Sequence, residues 1–280
     1  MIPRTIHYCW FGKAPMPELA QRCIASWEKY FPGYKIQRWD ETNYDVTAIP
    51  YVREAYQAEK WAFVSDYARF DILYRYGGLY FDTDVEIIAP LDDVLAEGPF
   101  MGLQRTVLPA DGKEVFWPAP GLGLAAHAGM EIYREMLELY QGLHFIREDG
   151  RLNMNTVPMY TWMVMQRHGF DQSRNAIQRT ADVLVYPTDY FSPIDYFSGK
   201  LIVTGNTRSV HHFSASWMSS QEKKVESLDR LLRGKSRTVK WIIYCGTLPV
   251  RLIYILQMEG FSGVIRRIRT KVRSQFSADT

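Results

Sequence analysis

Several features that would assign this 280-residue chain to a class are missing. Its three cysteines, Cys9, Cys23 and Cys245, stand far apart, with no CxxC pair and no histidine at zinc spacing. That excludes a disulfide scaffold and a structural zinc site, and predicts free thiols in a reducing compartment. No GxxxxGK loop is present to cradle nucleotide phosphates. Internal repeats and low-complexity tracts are absent as well. The longest apolar stretch, Trp241 to Met258, is broken by Pro249 and Arg251 and falls short of the roughly 20 residues that span a bilayer. The opening MIPRTIHYCWFGK lacks the basic start and apolar run of a secretory signal, so the chain is expected to stay in the cytosol. Net charge is close to nil, +2 at pH 7.

What is there is the composition of a folded globular protein: 47% hydrophobic, 23% charged and 14% aromatic residues. The small net charge hides an asymmetry. Residues 1–220 carry 20 Lys/Arg against 26 Asp/Glu, whereas residues 221–280 carry 13 against 5. The basic segment calls for an acidic partner, a membrane surface or a nucleic acid.

Thr5 to Phe11 is β-prone. Pro17 then suits a helix start, and Leu19, Cys23, Ile24, Trp27 and Tyr30 recur at helical spacing. Tyr34 to Trp39 reads as the next strand, and β-α-β within the first 40 residues favours parallel strands. A helix is predicted from about Ala58 to Tyr76, stopped by Gly77-Gly78. An acidic strand from Tyr80 to Glu86 follows, then a short turn or helix at LDDVL and a strand from Phe100 to Arg105. Residues 109–123, rich in Pro and Gly, read as a loop near the active site. Helices are predicted over Gly129 to Tyr140 and Thr156 to His168, with late strands at Val183 to Tyr186 and Leu201 to Thr204. The expected organisation is an α/β domain over 1–220 and a helical, basic extension over 221–280.

Chemistry concentrates in FVSDYARFDILYRYGGLYFDTDVE, from Phe63 to Glu86. Alternation on a strand puts Tyr80, Asp82, Asp84 and Glu86 on one face and Leu79, Phe81, Thr83 and Val85 on the other. Two carboxylates so placed repel unless a cation lies between them. One reading is a magnesium or manganese site with positions left for a substrate diphosphate; the other is a pair of exposed strand-end acids. Asp66 and Arg69 are neighbours on a helix face within apolar sequence, either a structural ion pair or a catalytic one. In HHFSASW, from His211 to Trp217, a histidine brought near the two aspartates would be a third ligand, and Trp217 a lid or a core residue.

Beyond Lys223, KKVESLDRLLRGK reads as an amphipathic helix. The apolar stretch from Trp241 to Met258 and the RRIRTKVR that follows suit a segment lying in the interface of an anionic membrane, better than they suit nucleic acid. The other reading is a helical hairpin packed on the main domain.

The blocks IPRTIHYCWFG, FVSDYARFDILYRYGGLYFDTDVE, VYPTDYFSP and HHFSASW, in order over residues 2–217, resemble glycosyltransferase family 32, the D-x-D sugar transferases. The resemblance implies a GT-A fold with a Rossmann-like mixed sheet flanked by helices, a nucleotide-sugar donor, Mn2+ or Mg2+, and transfer with retention. It implies that Trp10 stacks on the donor's base and that Asp66, Arg69 and Tyr80 line the donor-sugar pocket. Asp82 would contact ribose and metal, with Asp84 the main metal ligand and Arg69 a partner in catalysis. His212 falls at the late metal position and Trp217 on the loop that closes over the diphosphate. The clostridial glucosylating toxins, whose catalytic domain is similar, have an acidic residue where this chain has His212 and a serine where it has Ala215, which leaves the third ligand open. The expected activity is hexose transfer, with a UDP-sugar favoured, to a glycan or lipid-linked oligosaccharide of a capsule or O-antigen, at the cytoplasmic face of the inner membrane. The alternatives are a metal-dependent nucleotidyl- or phosphotransferase and a catalytically silent sugar-binding or scaffold protein.

Overall fold

A computed structural model of the chain describes residues 1–108, 113–195 and 198–214, and residues 1–214 form one compact unit. The amphipathic helix, the apolar stretch and the basic run expected within 221–280, and Trp217, lie outside the described residues.

The chain opens with β1 (Thr5–Cys9), α1 (Glu18–Tyr30) and β2 (Lys35–Trp39). Pro17 stands just before α1, and α1 buries Ala20, Cys23 and Trp27, one helical stripe. The helix expected from about Ala58 to Tyr76 is present from Trp61, and a shorter helix that was not expected precedes it. The helix α2 (Pro50–Gln57) starts on Pro50, and α3 (Trp61–Tyr76) follows a break at which Glu59 has φ 56°. Eleven consecutive residues of α3, Phe63 to Leu73, are buried. A helix covered all round shows no amphipathic stripe. It ends at Gly77, whose φ of 64° and contact with the Ala126–Ala128 backbone admit no side chain.

Next come β3 (Gly78–Tyr80), β4 (Val85–Ile87), α4 (Asp92–Ala96) and β5 (Phe100–Val107). The acidic strand is therefore not continuous: Phe81 to Asp84 form a turn, closed by the Val85 amide donating to the Asp82 carbonyl at 3.0 Å. Its two flanking strands join different sheets, which breaks the alternation expected for Tyr80, Asp82, Asp84 and Glu86. The stretch expected as a loop over 109–123 contains β6 (Glu114–Pro118), because Glu114 to Pro118 pair with β5.

The rest comprises β7 (Leu124–Ala126), α5 (Glu131–Gln141), α6 (Val157–Met165), β8 (Gln178–Thr180), β9 (Val183–Tyr186), α7 (Thr188–Phe191) and β10 (Ser209–His211). The strand expected at Leu201 to Thr204 reduces to a single bridge between Leu201 and Ile194. The late strand is β10 instead.

The main sheet has eight strands in the order β2-β1-β3-β7-β5-β9-β8, with β6 added on β5. Strands β2, β1 and β3 are parallel, β7 runs antiparallel to β3 and β5, and β9 is parallel to β5. This is the mixed sheet flanked by helices that the family resemblance implies, whereas the β-α-β reading of the first 40 residues accounts for its parallel part. A separate ribbon pairs β10 with β4, His211 opposite Val85. Trp27, Phe31, Phe81, Phe100 and Phe191 fill the core beside Ile6, Leu79 and Val85. Trp27 also donates its indole N–H to the Val85 carbonyl at 2.8 Å, tying α1 to the acidic turn.

Candidate active site

The acidic turn lies just past the carboxyl ends of β1 and β3, where ligands bind in open α/β sheets. One wall comes from α3. The Arg69 guanidinium donates to Asp66 at 2.8 Å and reaches Asp82 at 3.3 Å on its other side. Its Nε is anchored on the Ser65 carbonyl at 3.0 Å, and Arg69 is only 2% exposed. Burial pushes the Asp66 carboxyl up to about 7 against the attraction of Arg69. Burial opposes the charge on Arg69, but Asp82, Tyr80 and Asp66 outweigh it and hold the guanidinium protonated. One cation thus serves two carboxylates.

Tyr80 is 1% exposed. Its hydroxyl donates to Asp82 Oδ1 at 3.1 Å and its ring lies 5.0 Å from the Arg69 guanidinium. The ring acts behind Asp82 and Arg69 and has almost no surface of its own with which to line a sugar pocket.

The opposite wall comes from the far end of the described chain. Asp84 Oδ2 accepts from the Ser214 amide at 2.8 Å and from the Ser214 hydroxyl at 2.9 Å, and Oδ1 lies 3.1 Å from His211 Nε2. Burial pushes this carboxyl up, but His211 and the two Ser214 bonds hold it well below the usual carboxylate range. In the same pair burial disfavours the imidazolium, and the Asp84 charge raises the His211 pKa regardless.

Oxygens of Asp82 and Asp84 and a ring nitrogen of His211 lie within 4.8 Å of one another, a metal-ligand cluster among the described residues. His212, expected in that role, points elsewhere. Its amide donates to the Asp84 carbonyl at 2.9 Å, so the two backbones pair, while its Nε2 meets Glu86 Oε2 at 2.8 Å. Adjacent residues leaving a strand face opposite ways, and the pairing of β10 with β4 decides which histidine faces in. That register was the signal the sequence held, hidden because Ser209 to His211 is too short to read as a strand.

Three further observations fit these residues to a divalent cation. Asp82 and Asp84 converge beside His211, and Arg69, the fixed cation next to Asp82, is shared with Asp66. His211 Nδ1 is buried without a hydrogen-bond partner. At Gly121 an added Cβ would sit 2.2 Å from Asp82 Oδ2, so only glycine leaves the carboxylate edge open. Gly121 also accepts the Asp82 amide at 3.2 Å. Sequence reasoning placed residues 109–123 near the site without singling out Gly121 or Ser214. Trp10, expected to stack on a base, follows β1, is partly exposed and donates its indole N–H to the Ala14 carbonyl at 2.8 Å.

Residues 17–101 match the family model described as a glycosyltransferase sugar-binding region containing the DXD motif. The matched stretch contains Asp66, Arg69, Tyr80, Asp82 and Asp84, and leaves Trp10, Gly121 and the His211 to Ser214 segment outside. Over 111 residues the chain is 29% identical to inositol phosphoceramide mannosyltransferase 1 of Schizosaccharomyces pombe, covering 36% of this chain and 33% of that protein. The chain thus matches about a third of that relative's length. Among solved structures it is similar to the PaToxG glycosyltransferase, at 16% identity over 59% of this chain and 69% of that one, TM-score 0.41. It is also similar to a glycosyltransferase involved in glycosylation of the major capsid of PBCV-1, at 14% identity over 79% of this chain and 98% of that one, TM-score 0.41.

Proposed function

We propose that the chain is a metal-dependent GT-A glycosyltransferase that moves a hexose from a nucleotide sugar, a UDP-sugar in the favoured case, to a glycan or lipid-linked acceptor with retention. The observation that carries this reading is the convergence of Asp82, Asp84 and His211 donor atoms beside Arg69, within and next to a sugar-binding region. Those three residues would hold Mn2+ or Mg2+; oxygen donors suit either ion and the imidazole favours manganese. A divalent cation there supplies electrostatic stabilisation for negative charge gathering on a departing diphosphate.

The chain's own groups do the remaining work. Arg69, held between Asp66 and Asp82, keeps a fixed positive charge at the edge of the site at no cost in reorganisation. Ser214 fixes Asp84 through two hydrogen bonds, so the carboxylate stays ionised and oriented. Asp66 is 6% exposed and tied to Arg69, which disfavours it as an enzyme nucleophile. Retention would then follow from attack by the acceptor on the face the diphosphate leaves.

Surface polysaccharide, of the capsule or O-antigen kind, is the acceptor class this reading favours. Residues 221–280, with 13 basic against 5 acidic residues, would contact the anionic cytoplasmic face of the inner membrane. Among the described residues no helix is long and apolar enough to cross a membrane.

The test is release of nucleotide diphosphate from a panel of UDP- and GDP-sugars with and without Mn2+. Asp84→Ala is expected to abolish release while the protein keeps its fold by circular dichroism. Normal rates in that variant, in metal-free buffer, would sink the proposal.

A further inference from the structure

Outside the acidic site, two partly exposed tryptophans lie side by side. Trp117 on β6 and Trp162 on α6 stack with ring centroids 6.0 Å apart and planes 18° from parallel. The Trp117 indole N–H donates to Gln172 Oε1 at 3.0 Å. That bond fixes which end of the amide faces Trp117, leaving the Gln172 NH2 group turned away with no hydrogen-bond partner among the described residues.

Packing alone does not require this arrangement. Val115 on β6, at 1% exposed, and Val164 and Met165 on α6, fully buried, already supply those elements with apolar anchors. The two indoles remain partly open to solvent beside a polar amide. The exposed part of a stacked indole pair next to an amide donor suits a pyranose ring, which presents axial C–H groups on its flat face and hydroxyls at its edge.

The position relates the pair to the acidic site. Gly121 follows Trp117 by four positions, a reach of at most about 14 Å, and Gly121 is the residue against which Asp82 rests. On the helical side, α6 packs on β6 and on α5, and α5 packs on α3, which carries Asp66 and Arg69. The tryptophan pair is thus within a few sugar units of the acids.

We propose that Trp117, Trp162 and Gln172 form a subsite for a pyranose ring of the acceptor glycan. This rests on the glycosyltransferase reading above, and the experiment separates the two. Saturation-transfer NMR is run on the full chain with a panel of methyl pyranosides and no nucleotide. Saturation of ring C–H protons is expected in the wild type, with affinity falling about tenfold in Trp162→Leu and falling less in Gln172→Ala. Trp117→Leu is the third variant, and circular dichroism checks the fold of all three. No transfer to any pyranoside in the wild type, or equal transfer in the folded variants, overturns the subsite. Nucleotide release from donors by the wild type, measured without pyranoside, reports on the parent reading alone. Its failure beside a tryptophan-dependent NMR signal would leave a sugar-binding site without the transferase.

Discussion

The two aspartates of the acidic turn are held by walls of very different construction. Asp82 leans on α3, where Arg69 is 2% exposed and locked to Asp66 and to the Ser65 carbonyl. Asp84 leans on the end of the described chain, where His211 closes a three-residue strand that, among the described residues, pairs only with β4, and Ser214 follows three residues later. One wall is part of the core, and its charges are fixed when the protein folds. The other is a short ribbon whose grip depends on register and on the charges it meets. The comparison teaches that the α3 wall sets stability as well as chemistry, whereas the β10 wall sets chemistry almost alone.

The largest expected effect tests the first half of that statement. Arg69→Met leaves Asp66 buried and unpaired, and breaking a buried pair from one side costs about 3–5 kcal/mol. Urea denaturation should show that loss, and Asp66→Asn in the same chain should recover part of it. A loss below about 1 kcal/mol would mean that the α3 wall is no more structural than the β10 wall.

A second, slightly smaller effect concerns acid. His7, on β1 beneath the α3 wall, is 3% exposed. Its Nε2 donates to the Gly77 carbonyl at 3.1 Å and its Nδ1 accepts from the Trp39 indole at 3.0 Å, so a second proton would face a donor. Burial lowers its pKa from 6.5 to about 4, opposed by the Gly77 bond and aided by Lys35. The unfolded chain then binds the proton more readily than the folded one. Stability is full above pH about 6.5 and is lost as pH falls toward 4, by about 3 kcal/mol in all. His7→Phe should flatten that slope in denaturation between pH 7 and 4, whatever it does to absolute stability. An unchanged slope would assign the acid sensitivity to other groups.

The same contrast explains what could be read from the sequence. The α3 wall was legible because its residues are local: Asp66 and Arg69 are one helical turn apart, Gly77-Gly78 marks the stop, and Asp82 follows within a few positions. The helix itself was easy to place although buried all round, since Gly77 and the apolar run bound it. Less legible was the turn from Phe81 to Asp84, because β-prone residues on both sides disguise a change of sheet. The helix α2 was missed because its eight residues, two turns starting at Pro50, are too few for an apolar pattern to repeat. The strand β6 was hidden inside a Pro- and Gly-rich stretch whose residues pair with β5 only in three dimensions. Gly121 owes its place to a carboxylate 39 positions away, and Ser214 to one 130 positions away. Neither signal exists in any local window.

The register of β10 is where the comparison can be sharpened most finely, since two adjacent histidines compete for one role. With His211 opposite Val85, its ring meets Asp84 while His212 turns to Glu86. Manganese affinity measured by calorimetry should therefore fall about 100-fold in His211→Ala, the upper end of what even a ligand's supporting residue costs. In His212→Ala it should fall by less than about tenfold, because only the partner of Glu86 is lost. His212→Ala also removes no backbone bond, so the amide still pairs with the Asp84 carbonyl and the ribbon keeps its alignment. The opposite order of effects would mean that β10 binds one residue out of register, which reverses every side chain on the ribbon at once. The β10 wall would then present His212 to the metal, as the family resemblance implies, and Ser214 could no longer be the residue that fixes Asp84.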